Sequence, residues 1–286
     1  MKKKPKLLIA VGGTGGHLFP AQTLARDLLS QDSEIELLFA GAGLSTNRYF
    51  HKEQFVYQDV SSATPFRGNI FSAAKQILRG VKTGLKLLDE FHPDLLIGFG
   101  SFHSASLLTA AVLKKTPFLL FESNAQPGKV NRLFSRWAQM TAVQFSHAGL
   151  LLKGETKEVA IPMKCTLIPK GEACHYFGLL PDAPIILVFG GSQGATSINR
   201  TFLEAVKLLP AHFQILHFTG HKEDVEQVRR DYAQQGRRAC VKEFEEKMAY
   251  AYSAAESAVC RAGAVTVAEL IAYELPAILI PYPFAT

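Results

Sequence analysis

The sequence predicts an α/β protein built from two doubly wound parallel sheets, each covered by helices. Three observations predict it. Short apolar runs alternate with amphipathic stretches along most of the 286 residues, the rhythm of successive βαβ units. The runs are continuously apolar, as in Leu95–Gly98 and Phe118–Phe121, which marks strands buried on both faces. The rhythm breaks once, over residues 162–184, where Pro162, Pro169, Gly171, Gly178, Pro181 and Pro184 accumulate. That stretch reads as a linker. It divides the chain into an N-terminal domain, residues 1–164, and a C-terminal domain, residues 165–286.

Taken in order, the first domain has strands near 6–11, 35–40, 55–60, 94–98, 117–121, 141–144 and 158–161. Helices fall between them, near 18–30, 45–52, 70–90, 102–114, 128–137 and 146–152. The second has strands near 185–190, 213–218, 239–242, 257–260 and 277–281, with helices near 195–208, 222–235, 246–253 and 264–273. The sequence stops just past the last of these strands, where a doubly wound domain adds a covering helix, so the second domain is expected to be incomplete.

Composition narrows the function classes. Apolar content of 48% and charged content of 20% describe a globular chain. No apolar run approaches the roughly 20 residues of a membrane span. The basic start leads straight into a strand without a separate apolar segment and cleavage site, so no secretory leader is expected. Cys165, Cys174, Cys240 and Cys260 form no Cys-x-x-Cys pair, which argues against a zinc site and for a reducing, cytosolic compartment. Residues 1–164 carry 20 Lys/Arg against 12 Asp/Glu, and residues 165–286 carry 11 against 13. A basic first domain suits an anionic partner: nucleic acid, acidic lipid or a phosphorylated substrate. The plain alternative is charge spread evenly over a solvated surface.

Three glycine-rich loops follow predicted strands: Gly-Gly-Thr-Gly-Gly-His at 12–17, Phe99-Gly100-Ser101, and Gly-Gly-Ser-Gln-Gly-Ala at 190–195. Glycine lets a ligand approach the backbone closely, and the N–H groups of a helix start favour anions. Any one such loop is equally well a tight turn. Three of them at the carboxyl ends of parallel strands point to phosphorylated ligands, because open α/β sheets bind ligands there.

His17 closes the first loop. A helix start disfavours its charged form, so a neutral imidazole there suits a general base; the alternative is a histidine that packs the turn. Glu122 and Asn124 lie at the end of another strand and reach the same region, Glu122 either binding hydroxyls and orienting a base or holding its own loop. Thr266 and Glu269 share a helix face after the turn Ala262-Gly263. Glu269 suits a ribose, but Thr-x-x-Glu is also a capping box. Over residues 69–88, Lys75, Arg79, Lys82 and Lys86 form a basic stripe beside an apolar face. That pattern fits an anionic membrane surface or simply a core helix with a solvated side. There is no Asp-x-Asp, His-Glu-x-x-His or Walker loop, so neither a metal-held diphosphate nor an ATPase is expected, and no cofactor is implied.

Together the motifs resemble the MurG family, GT-B fold glycosyltransferases of peptidoglycan synthesis. The resemblance runs along the whole chain through the loops at 12–17, 98–101 and 190–195, Glu122-Ser123-Asn124, Glu243-Phe244 with Met248, and Cys260–Glu269. It implies two Rossmann-like domains facing across a cleft. It implies transfer of N-acetylglucosamine from UDP-N-acetylglucosamine to the C4 hydroxyl of lipid I, forming lipid II with inversion at the anomeric carbon. It also implies peripheral attachment to the cytoplasmic face of the inner membrane through Lys75, Arg79, Lys82 and Lys86, and no nucleic-acid partner.

The roles it implies run as follows. The loops Gly12–Gly16 and Gly98–Ser101 cradle the acceptor diphosphate, with Gly12, Gly13, Gly98, Gly100 and Ser101 as contacts, while Thr14, Gly15 and Gly16 also meet the donor. His17 is the first candidate base and Glu122 the second. Gly191, Ser192 and Gln193, with the helix behind them, hold the donor diphosphate without metal, helped by Lys164 where the family usually has arginine. Phe244, Glu245, Ala264 and Val265 line the uracil pocket, Thr266 faces the diphosphate, Glu269 the ribose, and Asn124 the transferred sugar. Ser123 stands where the family often has glutamine, and Ala160-Ile161-Pro162 where it has Gly-Asn-Pro. A family segment beyond Pro281 that holds the donor sugar is not in the sequence, which leads to an expectation of weak or absent turnover. A related lipid glycosyltransferase, a UDP-sugar epimerase and a UDP-binding scaffold remain open alternatives. A nicotinamide dehydrogenase does not fit, because the first loop lacks Gly-x-Gly-x-x-Gly and no acidic residue ends the second strand at Ala40-Gly41.

Overall fold

The apolar runs form parallel strands in the computed structural model, which describes residues 4–63, 70–191 and 194–282. The chain divides after Met163 into two compact units, one residue before the division read from the sequence.

The first unit runs β1 (Lys6–Ala10), α1 (Gly15–Gln31), β2 (Glu36–Gly41), β3 (Tyr57–Asp59), α2 (Ile70–Phe91), β4 (Leu95–Gly98), α3 (Ala105–Lys114), β5 (Phe118–Glu122), α4 (Lys129–Phe134), β6 (Met140–Val143), α5 (Ser146–Gly149) and β7 (Thr156–Glu158). Its strands pair in parallel in the order β3-β2-β1-β4-β5-β6-β7. Leu8, Leu38, Leu96, Phe118 and Leu120 of the sheet bury against Leu87 and Leu88 of α2 and Leu107 and Leu108 of α3. Each such side chain contributes about 1.5–3 kcal/mol when fully buried, and this packing rather than helix propensity fixes α2 on the sheet.

The second unit runs α6 (Lys170–Phe177), β8 (Ile185–Phe189), α7 (Thr196–Ala205), β9 (Gln214–Phe218), α8 (Lys222–Gln234), β10 (Ala239–Lys242), α9 (Met248–Ala254), β11 (Ser257–Arg261), α10 (Ala264–Ala272) and β12 (Ala277–Ile280). Its strand order is β10-β9-β8-β11-β12, again parallel. Every residue of β8 and β9 is buried; β8 is apolar throughout, while in β9 the buried Gln214 and His217 are hydrogen-bonded.

In each sheet the order reverses once. From β1 the chain moves outward to β2, while β4 lies on the opposite side of β1. From β8 it moves to β9, while β11 lies on the opposite side of β8. Connections that leave in opposite directions open a crevice at the carboxyl ends of the two central strands. The glycine loops at 12–17 and 99–101 lie at one switch point, and the loop after β8 and the start of α10 lie at the other.

Three local expectations are corrected. Residues 45–52 form turns, not a helix. The Asp59 carboxylate accepts hydrogen bonds from the N–H groups of Leu44 and Ser45, and the Asn47 side chain accepts from the Tyr49 N–H. Such local side-chain bonds compete with helical ones. The stretch read as a linker contains α6; Pro169 and Gly178 stand at its two ends, Gly178 with φ of 67°, so they bound a helix rather than break one. The strand expected near 158–161 lies earlier, at Thr156–Glu158.

Candidate active site

In the first unit, Ala10 pairs with Gly98, so the loops after β1 and β4 emerge side by side. Gly13 has φ of +91°, and a Cβ there would lie 3.1 Å from Ser101 Oγ and 3.2 Å from His103 Nδ1. The positive φ itself favours glycine, and a Cβ would also crowd both neighbours by a few tenths of an ångström. The Asn47 side chain donates to the Gly13 carbonyl at 2.7 Å and steadies the bend. Thr14 is the N-cap of α1, and its side chain makes no capping bond. The opening N–H groups of a 17-residue helix at Gly15 and Gly16 are thus left for an anion. Gly98 is buried within β4, where a Cβ would come within 2.9 Å of Leu120; its own role is packing beneath the loop.

His17 sits in the first turn of α1, half-buried. Its ring lies beside the Phe99 main chain at the head of the neighbouring loop. Burial pulls its pKa below the ordinary histidine value; the Glu122 charge and the Phe99 main chain oppose that, and His103 adds to the lowering. The lowering favours a neutral imidazole, the state a general base requires.

Glu122 ends β5 and is buried. Its Oε1 accepts from the main-chain N–H and the side-chain amide of Asn124, both at 2.9 Å. Its Oε2 accepts from the Gly128 N–H at 2.8 Å and from Asn131 Nδ2 at 2.9 Å. Both oxygens are engaged in holding the loop, the second of the two readings made from the sequence. Asn131 is itself buried and also donates to the Phe121 carbonyl. Asn124 is exposed at the loop tip, where Glu122 fixes its amide.

Sequence reasoning missed His103 and Asn131. His103 Nδ1 lies 2.8 Å from Ser101 Oγ. Ser101 adopts φ of 71°, a conformation that favours glycine. No periodicity marks either residue, since each is recruited by strand pairing or loop closure.

In the second unit, the loop after β8 leads into α7. Gly191 lies in that loop, whereas Ser192 and Gln193 fall outside the described residues. Gly194 takes φ of +69°, and a Cβ there would lie 2.7 Å from the Thr219 carbonyl. The same carbonyl accepts from Asn199 Nδ2 at 3.1 Å. Asn199 Oδ1 lies 3.1 Å from His217 Nε2, and His217 Nδ1 lies 2.8 Å from the Tyr232 hydroxyl. This buried relay fastens α7, and with it the loop, to β9. Burial pushes His217 down to about 4. Arg261, at the end of β11, donates to Ser197 Oγ at 3.1 Å and to the Pro281 carbonyl at 2.8 Å.

Helix α10 begins after Gly263, its N-cap, which has no side-chain capping bond. Ala264, Val265 and Thr266 form its first turn. The capping-box alternative is excluded: Thr266 lies inside the helix, and the Glu269 Oε2 accepts from the Tyr252 hydroxyl at 2.8 Å. Burial raises the Glu269 carboxyl to about 7 against that hydrogen bond. Phe244 is half-buried beside Glu245. The Glu245 carboxylate accepts from Lys242 Nζ at 2.7 Å and from the Lys247 N–H at 2.9 Å. Burial raises its pKa, but those bonds prevail and hold it below the usual carboxylate range. Lys164 is exposed at the start of the unit.

The comparisons with known proteins agree with this architecture. Residues 7–143 match the glycosyltransferase family 28 N-terminal domain, and residues 185–286 match the glycosyltransferase family 28 C-terminal domain. A curated relative from Protochlamydia amoebophila, a UDP-N-acetylglucosamine–N-acetylmuramyl-(pentapeptide) pyrophosphoryl-undecaprenol N-acetylglucosamine transferase, is 40% identical over 98% of this chain and 77% of its own length. The crystal structure of MurG from Acinetobacter baumannii superposes with a TM-score of 0.74 at 28% identity, over 99% of this chain and 80% of that one. A UDP-GlcNAc 2-epimerase from Neisseria meningitidis has a TM-score of 0.68 at 15% identity, over 96% of this chain and 82% of that one, and shares the fold alone. The chain belongs to the MurG family of N-acetylglucosamine transferases, within glycosyltransferase family 28.

Proposed function

We propose that this chain transfers N-acetylglucosamine from UDP-N-acetylglucosamine to the C4 hydroxyl of lipid I, giving lipid II. The bond from O4 to the anomeric carbon forms as the bond from that carbon to the diphosphate oxygen breaks. Configuration inverts, UDP leaves, and His17 takes the hydroxyl proton. The observation that carries the reading is His17 itself: an imidazole that burial keeps neutral, at the switch point of the first sheet in a chain of this family.

Gly12, Gly13, Gly100 and Ser101, above Gly98, hold the acceptor diphosphate in this reading. Thr14, Gly15, Gly16 and Asn124 meet the donor sugar side. Gly191, Ser192, Gln193, Lys164, Thr266 and the start of α7 offset the charge on the departing UDP, where preorganised donors act most strongly. Phe244, Glu245, Ala264 and Val265 receive uracil, and Glu269 the ribose. Glu122 acts as a positioning residue, because both of its oxygens are already engaged.

Among the described residues no helix is long and apolar enough to cross a membrane. The exposed Lys75, Arg79, Lys82 and Lys86 of α2, beside Leu78 at 70% exposure, suit peripheral docking on anionic lipid at the cytoplasmic face of the inner membrane.

Incubation with sugar-labelled UDP-N-acetylglucosamine and a short-chain lipid I analogue tests the reading. Label on the lipid acceptor is expected. Label on diacylglycerol alone, donor conversion without any acceptor, or UDP binding without sugar release would each replace it with one of the alternatives.

A further inference from the structure

Glu269 is half-buried on α10, and a buried carboxylate is costly unless something holds it ionised. Tyr252 of α9 supplies that hold. It is 3% exposed, and its hydroxyl donates to Glu269 Oε2 at 2.8 Å. Its ring meets Phe189 edge-on, with centroids 6.2 Å apart, and Phe189 is the last residue of β8 before the glycine loop. On another side it lies 5.1 Å from the Tyr273 ring. The Tyr273 hydroxyl donates to the Thr166 carbonyl at 3.0 Å and accepts from the Thr166 N–H at 3.1 Å, two residues from Lys164. One aromatic side chain thus touches the strand that feeds the loop and the helix that carries Glu269. Through Tyr273 it also reaches the segment beside Lys164.

We propose that Tyr252 is a positioning residue for nucleotide recognition: its hydroxyl occupies Glu269 Oε2, favours the carboxylate form and leaves Oε1 to accept from the ribose hydroxyls of the donor. The inference rests on the ribose reading of Glu269. The titratable groups around the pair are Tyr273, which caps the end of α10, Cys260 of β11 and Cys165. The Tyr252 bond is what opposes the upward push of burial on Glu269.

The test is calorimetric titration of the full chain with UDP-N-acetylglucosamine, whose diphosphate diester does not titrate near neutrality, from about pH 6 to about pH 8.5. The proteins are wild type, Tyr252→Phe and Glu269→Gln. The phenylalanine keeps both ring contacts and removes only the hydroxyl. Wild-type affinity should rise through neutral pH. In Tyr252→Phe the midpoint should move up by about one unit, with binding about five- to tenfold weaker at and below neutrality and closing on wild type in the alkaline range. Tyr252→Phe that binds like wild type at every pH overturns the proposal. So does weakening by the same factor at every pH, which marks packing alone. Wild-type affinity in Glu269→Gln overturns the ribose reading itself, a failure separable from the first two.

Discussion

The Phe99 main chain lies beside the imidazole of His17 and favours its charged form against the pull of burial. Phe99 opens the loop after β4 and His17 closes the loop after β1, so the two sides of the switch point meet at the candidate base. His17→Ala should lower kcat by about 100- to 10,000-fold, the usual contribution of a general base, with the donor KM nearly unchanged. Because the His17 pKa lies below the ordinary histidine value, the acid limb of kcat/KM should fall below pH 6.5. Steady-state kinetics across pH check both.

The four hydrogen bonds into Glu122 separate a positioning role from a base. In Glu122→Gln the new amide NH2 must face N–H donors on either side, at Asn124 or at Gly128 and Asn131. Leaving such groups unsatisfied costs about 1–3 kcal/mol. Thermal melting should fall along with kcat. An unchanged melting temperature with kcat lost would instead make Glu122 a base.

His217 predicts acid sensitivity in the second unit. Its pKa is about 4 in the folded state against 6.5 for the ordinary residue, so the unfolded chain binds more protons between those values. The stability it confers is complete above pH 6.5 and is lost as pH falls toward 4, by about 3 kcal/mol in all. Denaturant midpoints of wild type should drop over that window, and those of His217→Gln should drop less.

The basic stripe of α2 predicts membrane affinity without altered folding. Lys75, Arg79, Lys82 and Lys86 are all exposed, and each is worth about 1 kcal/mol near an anionic surface. Replacing all four with Glu should reduce cosedimentation with anionic vesicles by at least about 100-fold. Binding to neutral vesicles should stay as it is, and so should the melting temperature.

Much of the fold is legible in the sequence because strands buried on both faces leave unbroken apolar runs, as Ile185–Phe189 does. The turns at 45–52 are hidden because their side-chain bonds reach Asp59, 15 residues from Leu44. Helix α6 is hidden because the proline and glycine at its ends look like a linker when its short buried face is not recognised. The site divides in the same way. The glycine loops and His17 follow from strand-to-helix junctions. Asn131 lies nine residues from Glu122 and Tyr252 seventeen from Glu269, separations that no single periodicity joins. His103 meets Gly13 only because β1 pairs with β4.

The most direct measurement is NMR of the disaccharide product formed from UDP-N-acetylglucosamine and a lipid I analogue, with UDP release followed in parallel. A β-linkage to C4 of the muramoyl sugar is expected, with one UDP released for each linkage formed. An α-linkage, attachment at another hydroxyl, or UDP release without product would contradict it.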